Sequence, residues 1–455
     1  MSRNLFLSFL GTNDYIACNY GLEYNPDEQV RDVRYIQEAL VKLFCQSFTE
    51  TDKVIILTTE LSEKQNYYDD GQLNHATKQF DKPNQGLKSR LSLLRANYLK
   101  APFEAIRIKE GYSEAEIWEV FDVISQQVLP NDQIYLDVTH AFRYLPMLGV
   151  VLADFLRVTK QVTIKGIYYG AFEKLGPAST VKDLPISARN APILNLLPLV
   201  ELQRWSTAAN NFYQYGVVEN LVDLANEGIK PILKETKGGD LSSNKIRHFS
   251  TLLQRLVISI QTNRGKDLMN FDQVGFKTAM KDVQQQDIFI KPLKEIFSLI
   301  ERKVTRFTQT KVIWLESAEW CLKHNLIQQG WTQLQEGVLT YLVDEVKRIF
   351  DDPFFDSSQV PPRNLLSSVL IIIHFKTPPD DWNKEAKEYA DVYTNRLLEL
   401  PLLLFFAQSY SGMTGVRNDI SHGGYKTDAA TAKKLVDNLE TYILAIRQLI
   451  ANSTA

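Results

Sequence analysis

The sequence predicts two domains of different fold class: an α/β domain over residues 1–180 and an all-helical domain over residues 181–455. Up to about residue 180, short apolar runs alternate with stretches of helical periodicity. This alternation is typical of a mostly parallel sheet with helices on both faces, as in Rossmann-like domains. Nearly all patterning is helical from Leu199 onward, after a connector, Ser187–Pro198, that carries Pro192 and Pro198.

In the first domain, five apolar runs have the length of buried strands. The predicted strands are Asn4–Leu10, Lys53–Thr58, Phe103–Ile108, Ile134–Val138 and Gln161–Tyr169. Apolar residues recur at helical spacing between some of these runs. This spacing predicts helices over Val30–Phe48, Glu114–Val128 and Phe142–Val158, and a long polar region, Ser62–Lys88, follows the second strand.

In the second domain, apolar residues recur at helical spacing along most of the chain, and no repeat of fixed period is evident. The clearest predicted helices are Leu199–Tyr215, Glu219–Leu233, Asn244–Thr262, Leu293–Phe307, Val312–His324, Gly330–Phe350 and Thr427–Ile450. Glycine pairs and a proline-bearing stretch from Pro353 to Pro362 separate some of them.

The composition is that of an ordinary globular protein, with 44% hydrophobic and 23% charged residues among 455. The net charge is −3, so any contact with nucleic acid must use a local basic groove rather than a global positive field. The three cysteines are scattered, which argues against a disulfide framework or a zinc site and fits a reducing compartment. We predict neither a signal peptide nor a membrane span, because the apolar runs are too short.

Two loops of the first domain are small and polar, and both follow predicted strands. One is G-T-N-D-Y (Gly11–Tyr15), and the other is D-V-T-H-A-F-R-Y-L-P (Asp137–Pro146). Thr139 could cap the helix that follows, whose free N–H groups attract phosphate, and His140 and Arg143 add donors. Neither G-x-G-x-x-G nor G-x-x-x-x-G-K-[ST] is present, which argues against a dinucleotide dehydrogenase and a P-loop NTPase. A nucleotide site built from these loops remains, and the alternative is a purely structural loop.

Arg417 and His422 lie in the stretch Ser411–Tyr425, S-G-M-T-G-V-R-N-D-I-S-H-G-G-Y. Because glycines flank them on both sides, we predict a short helix that begins near Arg417. Histidine can shuttle a proton near neutral pH, and arginine carries a permanent charge and a fork of donors suited to phosphate. The pair suits metal-free cleavage of RNA by its ribose 2′-hydroxyl, with Asn418 bound to the phosphate or orienting the histidine. The alternative is a surface arginine beside a histidine that ends a helix.

The two polar loops resemble the CARF domain, the CRISPR-associated Rossmann fold. The second is similar to the group of CARF proteins with a D-x-T-H-G pattern, although this chain has Ala141 where that group has glycine. Asn195–Gly216 resembles the helix that joins a CARF domain to a HEPN domain, and R-N-D-I-S-H resembles the HEPN ribonuclease motif. The resemblance covers both domains in the same order.

The resemblance implies a cytoplasmic accessory ribonuclease of type III CRISPR defence that leaves 2′,3′-cyclic phosphate ends. Its activator would be a cyclic oligoadenylate, with cyclic tetra-adenylate as the first expectation and the ring size open. Two copies would share one activator pocket and one composite catalytic cleft. Arg417 and His422 would be catalytic and Asn418 supportive, without metal or other cofactor. The activator pocket would be lined by residues at the strand ends and loops of the first domain, namely Gly11, Thr12, Asn13, Thr58, Asp137, Thr139, His140, Phe142 and Arg143.

Two other functions stay open at this point. The helical domain could be a non-catalytic module that binds nucleic acid or protein, or the CARF domain could itself be a phosphodiesterase that degrades its activator. The helical domain is long for a bare HEPN domain, which implies an insertion around residues 230–300. Among the remaining histidines, we expect His374 to pack in or beside a core and His75, His248 and His324 to lie at the surface.

Overall fold

The computed structural model describes residues 2–74, 77–140, 144–285, 293–425 and 427–454. The chain divides into two compact units, Met1–Gln203 and Arg204–Ala455. The first unit combines a sheet with helices, and the second is helical throughout its described residues. The predicted order of fold classes, α/β followed by all-helical, is therefore confirmed.

All strands formed by the described residues belong to the first unit. They are β1 (Asn4–Phe9), β2 (Cys18–Leu22), β3 (Asn25–Val33), β4 (Lys53–Thr58), β5 (Gln72–Asn74), β6 (Gln79–Lys82), β7 (Phe103–Arg107), β8 (Gln133–Asp137), β9 (Thr163–Gly170) and β10 (Asn190–Asn195). The helices of this unit are α1 (Ile36–Phe44), α2 (Glu60–Ser62), α3 (Leu87–Asn97), α4 (Glu114–Gln127), α5 (Leu145–Lys160) and α6 (Ala178–Val181), and α7 (Leu197–Tyr215) contains the boundary between the units. A π-helical segment, Glu63–Tyr67, follows α2 directly.

In the described part of the chain, eight strands form one sheet in the order β3-β2-β10-β9-β8-β1-β4-β7. Its five strands from β9 to β7 are parallel. The chain winds outward from β1 through β4 to β7, then returns to β8 on the other side of β1 and continues to β9. The direction of winding therefore reverses between β1 and β8. Such a switch point, at the carboxyl ends of the strands, is where open α/β sheets bind ligands.

The central strand β1 is buried on both faces of the sheet. Leu5, Leu7 and Phe9 pack in the core that includes side chains of α4 and α5. Phe6 packs on the opposite face, in the core that includes α1 and α3. Because successive side chains of a strand alternate between faces, a parallel strand covered on both sides needs a nearly continuous apolar run, and Asn4–Phe9 supplies it.

Two predicted segments of the first unit have a different structure, and β2, β5, β6 and α3 had not been predicted at all. Ser187–Pro198 is more than a connector, because β10 lies inside the sheet and pairs with both β2 and β9. Proline lacks an N–H and is unusual in central strands, so Pro192 argues against a strand, yet its carbonyl accepts the Ala171 N–H at 2.9 Å. The predicted helix Val30–Phe48 begins only at Ile36, because β3 precedes it and pairs antiparallel with β2.

The second unit consists of helices packed around two large hydrophobic cores, and its described residues also form a small third cluster. Besides the end of α7, its helices are α8 (Glu219–Glu235), α9 (Leu241–Gln261), α10 (Gly265–Met269), α11 (Gln273–Gln284), α12 (Leu293–Val304), α13 (Ile313–Lys323), α14 (Ile327–Phe350), α15 (Val360–Phe375), α16 (Lys384–Glu388), α17 (Asn395–Leu398), α18 (Pro401–Ser421) and α19 (Ala432–Thr454). Helix α13 joins the cores: Trp320 belongs to the core of the earlier helices, and Trp314 to the core of α14, α15, α18 and α19. None of the described helices is both long and apolar enough to cross a membrane.

The seven helices predicted in the second domain are all present, with ends shifted by a few residues. The apolar residues whose spacing predicted these helices form the buried face that each helix presents to a core. The segment from α8 to α12 packs with the end of α7 around one of these cores. The region around residues 230–300 is thus an integral part of that core's packing.

Candidate functional sites

The two polar loops of the first unit meet at the switch point of the sheet. β1 and β8 are neighbouring parallel strands, and Ser8 of β1 lies opposite Asp137 of β8. The loops that follow both strands are in close contact, because a Cβ added at Gly11 would come within 3.1 Å of the His140 Cβ. Gly11 therefore allows an approach that a larger side chain would obstruct.

Asp137 and Thr139 form a hydrogen-bond network that fixes the second loop. Asp137 is fully buried, and its carboxylate accepts from the Ser8 hydroxyl at 2.6 Å and from the Thr139 N–H and hydroxyl at 2.9 and 2.6 Å. The Thr139 oxygen in turn accepts the Gly170 N–H at 2.8 Å. Burial raises the pKa of Asp137 to about 6, and the hydrogen bonds from Ser8 and Thr139 oppose that rise.

The expected capping role of Thr139 is wrong. Helix α5 begins at Leu145, with Tyr144 at the N-cap position. The Thr139 side chain is instead engaged with Asp137 and with β9, because a buried carboxylate needs donors nearby. Thr139 and Asp137 thus hold the loop, and His140 next to them reaches a cavity.

The first loop is held by two side chains from the polar region after β4. The Asn66 amide donates to the carbonyls of Gly11 and Asn13 at 2.8 and 2.9 Å. Gln72 donates to Asn66 at 2.6 Å, and both side chains are buried. These two residues were not predicted, because an isolated Asn and Gln in a polar stretch carry no local signal of such long-range bonds. Thr12 lies between the two held residues and is partly exposed.

A cavity of about 410 Å³ opens beside these loops. Asn13, Tyr15 and His140 line it, together with Phe172 and Lys182 from the chain after β9. The Tyr15 and His140 rings meet edge to face at 4.4 Å, and the Tyr15 hydroxyl accepts the Gly11 N–H at 2.9 Å. An apolar and aromatic wall with a few convergent polar groups is typical of a small-molecule site. Phe172 and Lys182 had not been predicted as site residues.

His140 is neutral in this environment. Burial lowers its pKa to about 4, and its Nε2 is buried with no hydrogen-bond partner among the described residues. At neutral pH it can therefore offer a hydrogen bond to a ligand but no positive charge. The cations near the cavity surround Asp14, whose carboxylate lies 3.0 Å from Arg34, 2.6 Å from Lys82 and 4.0 Å from Lys182.

Among the described residues of the predicted pocket, Thr58 does not line this cavity. Thr58 ends β4, is fully buried, and its hydroxyl has no partner in the described part of the chain. Phe142 and Arg143 lie outside the described residues. The part of the prediction that the structure brings together is Gly11, Asn13 and His140, with Asp137 and Thr139 behind them.

In the second unit, Arg417 lies near the end of a long helix, not at the start of a short one. α18 extends from Pro401 to Ser421 and buries Leu403, Phe406, Tyr410 and Met413 on one face. The expectation that glycines border the helix on its N-terminal side is wrong. Gly412 is a packing position, where an added Cβ would lie 2.1 Å from the Tyr442 hydroxyl of α19, and Gly415 faces open space.

Helix α18 ends at His422 in a Schellman motif. The Gly423 N–H donates to the Ile420 carbonyl and the Gly424 N–H to the Asp419 carbonyl, both at 3.0 Å. Gly423 has φ +66°, a left-handed conformation that favours glycine after a helix end. The C-terminal boundary is therefore the one that the glycines predict, and it places His422 at the C-cap position.

The three motif side chains are accessible at this helix end. Asn418 and His422 are exposed and Arg417 is partly exposed. In the described part of the chain, none of the three side chains has a hydrogen-bond or ion-pair partner. Asp419 beside them is buried, and its carboxylate accepts the Ala430 N–H at 2.8 Å, which ties the segment after the motif to the helix. The arrangement leaves a fixed charge and a proton carrier available to a phosphodiester.

Two expectations about the other histidines are wrong. His324 is buried, since it packs against Trp320 at the end of α13 with the rings 4.4 Å apart. His374 is exposed, because it lies two positions after the buried Ile372, a rotation of about 200° around a helix. His248 is exposed, as expected, and His75 lies outside the described residues. Within the described ranges, no group of three or more His, Cys, Asp or Glu residues is placed to hold a metal ion.

Comparison with known proteins identifies the domain that carries the first site. Residues 5–173 match the family model described as the CARF domain of the CRISPR system endoribonuclease Csx1. A stretch of 112 residues is 37% identical to the CRISPR-associated protein MJ1674 of Methanocaldococcus jannaschii, and it covers 24% of this chain and 16% of that relative. The first unit thus contains a CARF domain of the CRISPR-associated type, and the family match ends before the helical unit.

Proposed function

We propose that this CARF-containing chain is a CRISPR-associated endoribonuclease of the cytoplasm, in which a cyclic oligoadenylate bound by the first unit activates RNA cleavage by a HEPN site in the second. The observation that carries the proposal is the accessible Arg417/His422 pair at the end of α18, with side chains that no described residue engages. In a chain that also contains a CARF domain, such a pair supports catalysis better than a surface role.

The chemistry needs only groups that the RNA and the motif supply. The ribose 2′-hydroxyl attacks the adjacent phosphorus and forms a 2′,3′-cyclic phosphate, and the 5′-oxygen of the next nucleotide leaves. His422 carries a proton to or from the reacting oxygens, and Arg417 stabilises the charge that develops on the phosphate. Asn418, one position after Arg417, can hydrogen-bond the same phosphate.

Two copies of the chain complete the site in this proposal. One histidine cannot accept the 2′-hydroxyl proton and protonate the leaving oxygen at the same moment. A second motif across a two-fold axis supplies the other proton carrier and doubles the positive charge. The proposed active form is therefore a dimer or a larger two-fold assembly.

The cavity beside Asn13, Tyr15 and His140 is the proposed activator site. A volume of about 410 Å³ suits a drug-sized ligand, and a ring of several nucleotides is larger, so two cavities would share one ring across the same two-fold axis. Each phosphate of the ring carries a negative charge. Lys182 and the neutral donors of His140 and Asn13 supply complementary groups, and Arg143 of the second loop remains a proposed phosphate contact.

The products of cleavage test the proposed chemistry. We expect activated enzyme in EDTA to cut single-stranded RNA into fragments with 2′,3′-cyclic phosphate ends, and to leave a substrate with a 2′-deoxyribose at the cut site intact. Mass spectrometry of the fragments identifies the ends. Efficient cleavage of the 2′-deoxy substrate, or activity that needs added Mg²⁺ or Mn²⁺, would exclude attack by the 2′-hydroxyl as the mechanism.

A further inference from the structure

A second cavity, of about 510 Å³, lies among helices of the second unit, and none of the motif residues lines it. Its wall combines aromatic and basic side chains from α7, α12 and α13. They include Tyr213, Arg302, Lys303, Trp320, Lys323 and His324. We call it the basic cavity.

The basic cavity has more positive than negative charge around it. Three cations share two carboxylates on and beside α13: Glu319 lies 3.0 Å from Arg306, 2.6 Å from Lys323 and 2.8 Å from Arg447, and Arg447 also reaches Glu316 at 3.0 Å. Arg302 and Lys303 add two further charges, and neither has an acidic partner in the described ranges. This local excess contrasts with the net charge of −3 for the whole chain.

Lys303 is the cation most affected by this excess. Its ammonium group lies 4.4 Å from the Tyr213 ring centre and 5.2 Å from that of Trp320, and it donates a hydrogen bond to the Tyr213 carbonyl. Burial and the neighbouring charges of Lys323 and Arg306 lower its pKa to about 8. An anion in the basic cavity would offset the repulsion that Lys303 experiences from Lys323 and Arg306.

Two polar side chains of the wall are buried with a nitrogen unengaged. His324 is only 7% exposed, and its Nδ1 lies 3.1 Å from the Gln214 carbonyl, but its Nε2 has no partner among the described residues. The indole N–H of Trp320 is likewise buried and unpartnered there. Both side chains lie against Gly216, where an added Cβ would come within 3.0 Å of the His324 ring and 3.1 Å of the Trp320 nitrogen, so they form the rigid back wall of the cavity. The Tyr213 side chain, in contrast, is 43% exposed and presents an aromatic surface.

We propose that the basic cavity binds single-stranded RNA, with the phosphates at Arg302, Lys303 and Lys323 and a base against Tyr213. Basic side chains interleaved with aromatic ones are the usual means of holding a single strand without sequence readout. An acidic peptide would match the charges but would leave the aromatic surface unused. The inference rests on the proposed function, because it gives the RNA substrate a second contact on the unit that would cleave it.

Binding of a labelled RNA to the full-length His422→Ala protein tests the inference without cleavage. The probe is a fluorescein-labelled oligouridylate of about 12 nucleotides, within the range of such sites, followed by anisotropy at several salt concentrations. We expect the added pair Arg302→Gln and Lys303→Gln to weaken binding at least about tenfold. We also expect the slope of log affinity against log salt to become shallower by about 1.4, or about 0.7 for each lost phosphate contact.

The matched control is the pair Lys277→Gln and Lys281→Gln on α11, which removes the same charge outside the basic cavity. We expect the control pair to bind RNA like the parent protein. The inference is overturned if both pairs of substitutions weaken RNA binding equally, or if neither pair weakens it. If the Arg302→Gln and Lys303→Gln pair leaves RNA binding unchanged but abolishes binding of a labelled oligoglutamate, the basic cavity binds an acidic protein. That result also overturns the inference.

Photocrosslinking tests the site in a chain with an intact basic cavity, in case the substitutions disturb packing. A 4-thiouridine RNA should crosslink to the peptide that contains Tyr213. Crosslinks that form only on other peptides contradict the inference. The outcome is separable from that of the proposed function. If RNA binding depends on Arg302 and Lys303 but the protein never cleaves RNA, only the proposed ribonuclease activity is contradicted. If activated cleavage is observed but RNA binding does not depend on these residues, only the inferred RNA site is contradicted.

Discussion

His422 is the residue on which the proposed reaction most depends, because it is the proposed proton carrier of the motif. General acid–base catalysis typically contributes 10²–10⁴-fold to a rate. We therefore expect His422→Ala to slow activated RNA cleavage by at least about 100-fold in single-turnover assays and to leave activator affinity unchanged. His248→Ala is the matched control, an exposed histidine on a helix of the same unit. Near wild-type turnover in His422→Ala would remove this residue from the mechanism.

Asp137 makes the stability of the first unit depend on pH. Because burial raises its pKa from 3.8 to about 6, the folded chain holds this proton more tightly than the unfolded chain. The resulting stabilisation is complete below about pH 4 and is lost as the pH rises through about 6. The difference corresponds to on the order of 3 kcal/mol of unfolding free energy.

We expect Asp137→Asn to lack this pH dependence. Urea unfolding of the full chain, followed through the protection of the β8 amides, measures the free energy at pH values between about 4 and 7. As the pH rises across this range, the unfolding free energy of the wild-type protein should fall by on the order of 3 kcal/mol relative to that of the variant. A difference between the two proteins that stays constant across this range would show that Asp137 does not titrate as its burial implies.

Helix α18 offers a comparison of two glycines on either side of the motif. Gly415 lies in the helix and faces open space, so Gly415→Ala should stabilise the protein by about 0.5–1 kcal/mol. Gly423 has φ +66°, so Gly423→Ala should cost roughly 1–2 kcal/mol and displace His422. Thermal unfolding and RNA cleavage measure both effects. Destabilisation by Gly415→Ala would indicate a break in the helix at that point.

The same helix shows what local sequence can and cannot predict. The end at Gly423–Gly424 was predictable, because a left-handed residue after a helix favours glycine wherever it occurs. The role of Gly412 was not predictable, because it depends on Tyr442 in another helix. Asn66 was missed for the same reason, since its bonds reach residues more than 50 positions away. Among the strands, β10 was missed because proline rarely occupies a central position.

At the scale of the whole molecule, an apolar stripe on α5 supports assembly into a dimer. Met147, Val151, Phe155 and Val158 recur at helical spacing, and each is 42–76% exposed. Exposed apolar patches of this kind mark protein contacts. A second copy of the chain is the proposed occupant, because in the proposed function the activator site and the catalytic site are each built from two copies.

We expect Val151→Lys to convert the assembly to monomers at low micromolar concentration, since two-fold symmetry places the new charge in the interface twice. The side chain is exposed, so the unit should fold normally. Val274→Lys, at an exposed apolar position of the helical unit, is the control and should keep the wild-type mass. Sedimentation velocity measures both. A wild-type monomer with full activity would rule out the composite cleft.

The rate of RNA cleavage with and without activator is the measurement that bears most directly on a ligand-switched ribonuclease. Wild type and His422→Ala are each assayed in EDTA on a single-stranded RNA, alone and with saturating cyclic tri-, tetra- and hexa-adenylate. We expect wild type to be nearly inactive alone and strongly activated by one of the rings, and His422→Ala to be inactive under every condition. Equal rates with and without every ring, or activation that survives in His422→Ala, would contradict the proposed function.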